Sequence, residues 1–235
     1  MSLVPLRPEL PQFLDAYLPK PVDARPFITL TYAQSLDSRI SKGHGIRTNI
    51  SHPETKTMTH YLRYHHDGIL VGTGTALADN PGLNCKYLDE VERSPRPIVL
   101  NFSQKWKFEG SKMHELFLNR QGRSPIVVLS EEPAQREPDV SYLICASMDW
   151  QLLFDRLYAE YGLKSIMVEG GASVINQLLV RQELINSLII TIGPVYLGKD
   201  GVQVSPSISR ELNDIQWWKG TTDVIMCARF RKVLS

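Results

Sequence analysis

The chain has 235 residues, 43% hydrophobic and 22% charged, a globular composition long enough to bury a core without disulfides or metals. A net charge of +1 with no basic run argues against nucleic-acid binding, and no apolar run reaches the roughly 18 residues of a membrane span. The three cysteines, Cys85, Cys145 and Cys227, lie far apart, and the six histidines show no HExxH spacing, so neither a disulfide framework nor a metal site is indicated. The N-terminus carries too many prolines and charges for a secretory signal, so cytoplasmic or nuclear residence is expected. Leu10, Phe13, Leu14 and Tyr17 recur at helical spacing and predict a packing helix in an N-terminal extension, 1–25, of one domain covering 1–235. Phe27–Ala33, rich in β formers, reads as the first strand. A helix is expected from Ser51, with Ser51 as N-cap, Pro53 at the second helical position and Glu54 reaching back; Met58, Tyr61, Leu62 and His65 share a face.

Gly68–Gly72 is a strand leading into a glycine loop, Val71-Gly72-Thr73-Gly74-Thr75-Ala76-Leu77-Ala78-Asp79-Asn80-Pro81. Strands follow at Pro97–Leu100, Pro125–Leu129 and Ser141–Cys145, with a short helix at Ser111–Leu118. Asp149 caps a helix bearing Trp150, Leu153, Phe154, Leu157 and Tyr158, which Gly162 stops. Lys164–Val168 is a buried strand, and Val174, Ile175, Leu178 and Leu179 then recur at helical spacing, so Glu169-Gly170-Gly171-Ala172-Ser173 is a strand-to-helix turn. Ser187–Ile192 is a strand, and Asp214–Leu234 reads as two antiparallel strands around Lys219-Gly220. The expected fold class is α/β, a mainly parallel sheet flanked by helices with an antiparallel C-terminal hairpin.

Glycines at a strand-to-helix turn let the backbone approach a ligand and leave the first helical N–H groups free for phosphate. An ordinary tight turn would use the same residues. Two such loops about a hundred residues apart suggest a long phosphate-bearing ligand such as a dinucleotide. The first loop is no Rossmann fingerprint, because Leu77 stands where GxGxxG needs glycine. Asp37, just after the first strand, reads as a turn cap, and Asp79, before Asn80-Pro81, as a turn residue or an acceptor for a ligand hydroxyl. Arg47, Arg63 and Lys86 are solvated charges or, together, a phosphate grip. Ser103, Lys105 and Lys107 form either a plain loop or a receiver for the 2′-phosphate of NADP. No nucleophile elbow, metal set or acid–base dyad is visible, which fits hydride transfer by a cofactor.

Four motifs carry a resemblance: Thr29–Ile40 (TLTYAQSLDSRI), Gly72–Leu83 (GTGTALADNPGL), Val168–Ser173 (VEGGAS) and Pro194–Gly198 (PVYLG). In this order they resemble the riboflavin-biosynthesis reductases, related in fold to dihydrofolate reductase, from about Pro26 to the C-terminus. Bacterial members sit behind a zinc deaminase whose HxE…PCxxC signature is absent here, so the chain resembles the stand-alone fungal and archaeal branch. The resemblance implies NADPH-dependent reduction of the ribosyl group of 2,5-diamino-6-(ribosylamino)-4(3H)-pyrimidinone 5′-phosphate to ribityl, by a homodimer with a phosphorylated pyrimidine as substrate and no nucleic-acid or membrane partner. It implies cofactor contacts at Thr75, Asp79, Gly170, Gly171, Ala172 and Ser173, with Ala33, Asn49 and Ser103 beside them. Substrate contacts are implied at Arg47, Arg63, Leu83, Lys86 and Glu169, and Glu169 is also the candidate for assisting protonation or ring opening. Ser38, Thr31 and Asn80 depart from glycine, lysine and aspartate common in the family. The alternatives are a pteridine or folate reductase of the same fold and a nucleotide-binding regulatory module without turnover.

Overall fold

The computed structural model describes residues 3–88 and 90–231. Its main sheet has nine strands: β1 (Phe27–Gln34), β3 (Gly68–Gly72), β4 (Arg96–Leu100), β5 (Ile126–Leu129), β6 (Ser141–Ile144), β7 (Ser165–Gly170), β8 (Ser187–Ile192), β10 (Leu212–Lys219) and β11 (Val224–Phe230). Their order is β10-β11-β8-β1-β7-β3-β4-β5-β6. All neighbours from β8 to β6 are parallel; β11 runs antiparallel to β8, and β10 to β11. The fold is thus the expected α/β arrangement. A two-stranded ribbon, β2 (Arg39–Ser41) with β9 (Val202–Gln203), has too few residues to show any period and escapes the sequence.

Strand residues alternate between faces. Ile166, Val168, Leu188 and Ile190 pack under α5 (Trp150–Tyr161) and α6 (Ala172–Leu179), whereas Met167 and Ile189 pack with α1 (Glu9–Asp15) and α2 (Pro53–Tyr64). Ile69, Val71, Val99 and Val127 extend the second face beneath α3 (Thr73–Asp79) and α4 (Lys112–Leu118). Both faces are covered, which is why the parallel strands read as nearly continuous apolar runs. Leu10 and Leu14 of α1 are completely buried, each contributing about 1.5–3 kcal/mol of hydrophobic stabilisation.

Several boundaries move for local reasons. His52, not Ser51, caps α2: its Nδ1 accepts the Glu54 N–H at 3.2 Å and Pro53 takes the first helical position. Glu54 does not reach back to the cap; it pairs with Arg7. His65 falls at the C-cap, outside the helix. The first glycine loop is largely a helix, α3, which ends at Asn80 in the left-handed region (φ 40°). Ser111 and Asp149 cap α4 and α5, and Gly162 ends α5 at φ 67°. Leu234, the expected end of the hairpin, lies outside the described residues.

Candidate active site

β3 and β7 are neighbours, with Val71 opposite Gly170. Two segments a hundred residues apart therefore deliver their turns to the same place, the C-terminal edge of the parallel strands, where open α/β sheets hold ligands. A cavity of about 1650 Å³ opens there. Single-ligand pockets run to about 1,000 Å³, so this one has room for two. α3 and α6 both begin at it.

Gly72 and Gly171 are the N-caps of α3 and α6, and neither helix has a side-chain cap. By contrast α2, α4 and α5 are capped by His52, Ser111 and Asp149. The two helices aimed at the cavity thus keep the N–H groups that an anion would take. The turns also touch. A β-carbon on Gly171 would lie 2.8 Å from Thr75 Oγ1, and one on Gly72 would lie 3.1 Å from Val174 Cγ2. Ser173 is held in place: Gln177 donates to its Oγ at 3.1 Å while accepting from Trp150 Nε1 at 3.2 Å.

Ala33, Arg47, Asn49, Arg63, Thr75, Asp79, Leu83, Lys86, Glu169, Gly171, Ala172 and Ser173 all line the cavity. Gly170 is buried in β7 and does not line it. Ser103 does not line it either. The Asn101 side chain donates to Trp106 O and accepts from Trp106 N, tucking the indole inward, while Gln104 turns at φ 52°. Ser103, Lys105 and Lys107 are left facing solvent, and Phe102 lines the cavity instead.

Arg63 and Glu169 hold each other. Arg63 Nε donates to Glu169 Oε1 at 3.0 Å and Nη2 to Oε2 at 2.8 Å, while Nη1 donates to Asn84 O at 3.0 Å. Their side chains are 13% and 18% exposed, so this forked pair is far better shielded than a surface ion pair. Arg47, Lys56 and Lys86 line the cavity with no ion pair among the described residues. Burial raises the Asp79 carboxyl above its ordinary range, with the Arg47 charge opposing. His60, between Arg63 and Lys86, accepts the Lys86 N–H on Nδ1 at 3.2 Å. Burial and those two cations push its imidazole down to about 3, so it is neutral at physiological pH.

Asp37 is the turn cap expected. It accepts from Ser35 Oγ, Leu197 N and Gly198 N, tying the PVYLG segment to the end of β1, and those bonds hold its carboxyl down to about 2. Ser38 beside it occupies the left-handed region at φ 58°, where glycine is the easier residue. Sequence reasoning missed Lys56, Thr59 and His60. With Arg63 they have the spacing i, i+3, i+4, i+7, one face of α2, but the apolar face of the helix drew the attention.

A parallel α/β sheet with an antiparallel terminal hairpin and a large cavity at its strand ends is the dihydrofolate-reductase-like fold. Dihydrofolate reductase from Enterococcus faecalis, solved with NADP(H), shares this fold at a TM-score of 0.50 and 12% identity, over 88% of this chain and 97% of that one. Finer comparison narrows the class. The RibD C-terminal domain model matches residues 26–226. The Saccharomyces cerevisiae 2,5-diamino-6-ribosylamino-4(3H)-pyrimidinone 5′-phosphate reductase is 59% identical over 97% of this chain and 98% of its own length. The solved structure of Saccharomyces cerevisiae riboflavin biosynthesis reductase Rib7 superposes with a TM-score of 0.86 at 55% identity, over 95% of this chain and all of that one. The chain belongs to the RibD C-terminal domain family.

Proposed function

We propose that this protein reduces the ribosyl group of 2,5-diamino-6-(ribosylamino)-4(3H)-pyrimidinone 5′-phosphate to ribityl, using NADPH, in riboflavin biosynthesis. The observation that carries the reading is the convergence, on one cavity, of two uncapped helix N-termini and of three cations, Arg47, Lys56 and Lys86, that make no ion pair among the described residues. The name of the 59% identical yeast relative supports the same substrate. We read the whole chain, 1–235, as one reductase unit with 1–25 as its N-terminal extension.

The residues present fit a dinucleotide. The first turns of α3 and α6, with Thr75, Gly171, Ala172 and Ser173, would take its pyrophosphate, and Asp79 a hydroxyl or amide. When bound, NADPH supplies the hydride that reduces C1′ of the substrate. The protein's task is to hold the ribosylamine with its C1′–O4′ bond open: O4′ takes a proton from solvent, the exocyclic N–H nitrogen becomes doubly bonded to C1′ and positively charged, and hydride at C1′ then leaves a neutral amine. Arg47, Lys56 and Lys86, which line the cavity, would take the 5′-phosphate. Arg63 spends three of its five N–H groups on Glu169 and Asn84, so it aims Glu169 and keeps one N–H on each terminal nitrogen for the substrate. Each Glu169 oxygen already accepts an Arg63 N–H, which suits that carboxylate to accept from a ribose hydroxyl and to face the positive charge that builds on the opened substrate.

The test is purified protein with NADPH and the ribosylamino substrate. Substrate-dependent loss of reduced-nicotinamide absorbance supports the reading. Oxidation only with a dihydropteridine or dihydrofolate, or binding with no oxidation, overturns it.

A further inference from the structure

α2 forms the substrate-side wall of the cavity: Lys56, Thr59, His60 and Arg63 line it from one helix face. By helical periodicity Glu54 lies on the opposite face. That back face rests on Met167, Ile189 and Ile225 of the sheet, and is held from outside by the N-terminal segment, which precedes the residues matched by the family model, 26–226. Leu10 and Leu14 pack with Met58 and Leu62. Arg7 holds Glu54 three times, N to Oε1 at 3.2 Å, Nε to Oε1 at 3.0 Å and Nη2 to Oε2 at 3.2 Å. The same Nη2 donates to Lys219 O at 3.0 Å, and the guanidinium stacks 4.0 Å from the Trp218 ring centroid.

Glu54 is 5% exposed, so the clamp is closed on the helix side and anchored to the terminal hairpin on the other. A second buried acid completes the mount: Asp223 Oδ2 accepts from His52 N at 2.9 Å and Thr55 Oγ1 at 2.6 Å. The same arm, from Leu3 to Pro8, lies across a shallow cleft from Thr57, Lys86 and Tyr87. It therefore backs both segments that bring cations to the cavity, α2 and the stretch around Lys86.

We infer that the N-terminal arm is a positioning device for the substrate pocket: the Arg7–Glu54 clamp sets the position of α2 and, through it, of Lys56, His60 and Arg63. The inference rests on the proposed reductase reading only in naming the ligand of that wall. Among the described residues, no hydrogen bond of Arg7 or Glu54 and no member of their apolar cluster comes from α3 or α6, which build the cofactor half of the cavity. Loosening the clamp should therefore weaken the phosphorylated substrate and spare NADPH. This split separates positioning from a loss of fold, because general destabilisation would affect both ligands.

The experiment compares full-length wild type with Arg7→Ala, Arg7→Lys and Glu54→Gln. The substrate KM, the NADPH dissociation constant, and backbone amide exchange across residues 53–64 are measured for each. Arg7→Ala should raise the substrate KM about fivefold to tenfold and speed exchange in the first turns of α2, with NADPH affinity within twofold of wild type. Arg7→Lys, which keeps the charge but not the fork, should recover part of the KM loss. Arg7→Ala combined with Glu54→Gln should be little worse than either alone. If Arg7→Ala does not fold, Glu54→Gln carries the same expectation by removing the charge while keeping the shape. An unchanged substrate KM in folded variants, or equal losses for substrate and NADPH, overturns the inference. A wild type that binds NADPH but never oxidises it with the ribosylamino substrate would overturn the functional reading instead, and faster α2 exchange in the variants would still test the clamp.

Discussion

Gly171→Ala probes the junction of the two glycine turns. The new β-carbon would sit 2.8 Å from Thr75 Oγ1, a separation that real β-carbons essentially never show. Ordinary contact begins near 3.4 Å, so one turn must retreat by roughly half an ångström. A threonine in a helix keeps two χ1 positions, so the retreat divides between a turn of the Thr75 side chain and a parting of the α3 and α6 N-termini. Displaced pyrophosphate donors should weaken NADPH about tenfold, about 1.4 kcal/mol. Fluorescence titration of NADPH into wild type, Gly171→Ala, Thr75→Ala and the double variant closes a cycle. Thr75→Ala alone reports the hydroxyl's own contribution to the cofactor. If crowding is the cause, removing the hydroxyl relieves it, and the double variant should bind at least about 1 kcal/mol better than the sum of the single losses. Strict additivity, with all four proteins folded, would refute the reasoning and put the methyl group in the ligand's own space.

Three further outcomes follow from the site and its supports. Glu169→Gln should lower kcat by about 10², the scale of one lost electrostatic contact to developing charge, and leave NADPH affinity near wild type; an unchanged rate in single-turnover hydride transfer would make Glu169 structural. Arg47→Ala should raise KM for the phosphorylated substrate by about tenfold or more, the scale of one lost charge-assisted bond of roughly 1.5–3 kcal/mol, but not for the dephosphorylated one; equal penalties would remove Arg47 from the phosphate site. His66, buried with its ring nitrogens on Leu62 O and Thr29 Oγ1, is pushed down to about 4, chiefly by burial. Because that lies below its unfolded value, its contribution is present above about pH 6.5 and is lost as pH falls toward 4. Urea unfolding should therefore show about 2 kcal/mol less stability at pH 5 than at pH 7 from this group, and His66→Gln should remove that share; identical pH slopes in the two proteins would contradict it.

Elements with a strong period were legible. α5 shows its Asp149 cap, its apolar stripe and its Gly162 stop in the sequence, and β3, β7 and β8 show their apolar runs. What escaped depends on long-range partners. His52 displaced Ser51 as the cap of α2 because Asp223, 171 positions away, takes the His52 N–H. Arg63 and Glu169 each read as ligand contacts, yet only the adjacency of α2 and β7 shows that they occupy one another. Ser103 sits in a loop whose direction is set by where Trp106 is buried, and spacing alone carries no sign of that. The polar face of α2 has a visible period, but only the cavity beside it distinguishes it from solvated surface.

The place of β7 between β1 and β3 has a consequence for how the molecule matures. β3 to β6 can pair in the order in which they are made, but β1 and β3 share no hydrogen bonds. Each waits for a strand more than ninety residues further along the chain, and that strand ends at the Glu169-Gly170 turn. Long-range parallel pairing of this kind is slow, because loop closure costs entropy before contacts repay it. The strand that joins the two halves of the sheet is also the one that brings Glu169 and the turn at Gly171 to the cavity. During refolding, recovery of NADPH binding should coincide with closure of the whole sheet, so the ligand serves as a probe of the finished fold and not of either half.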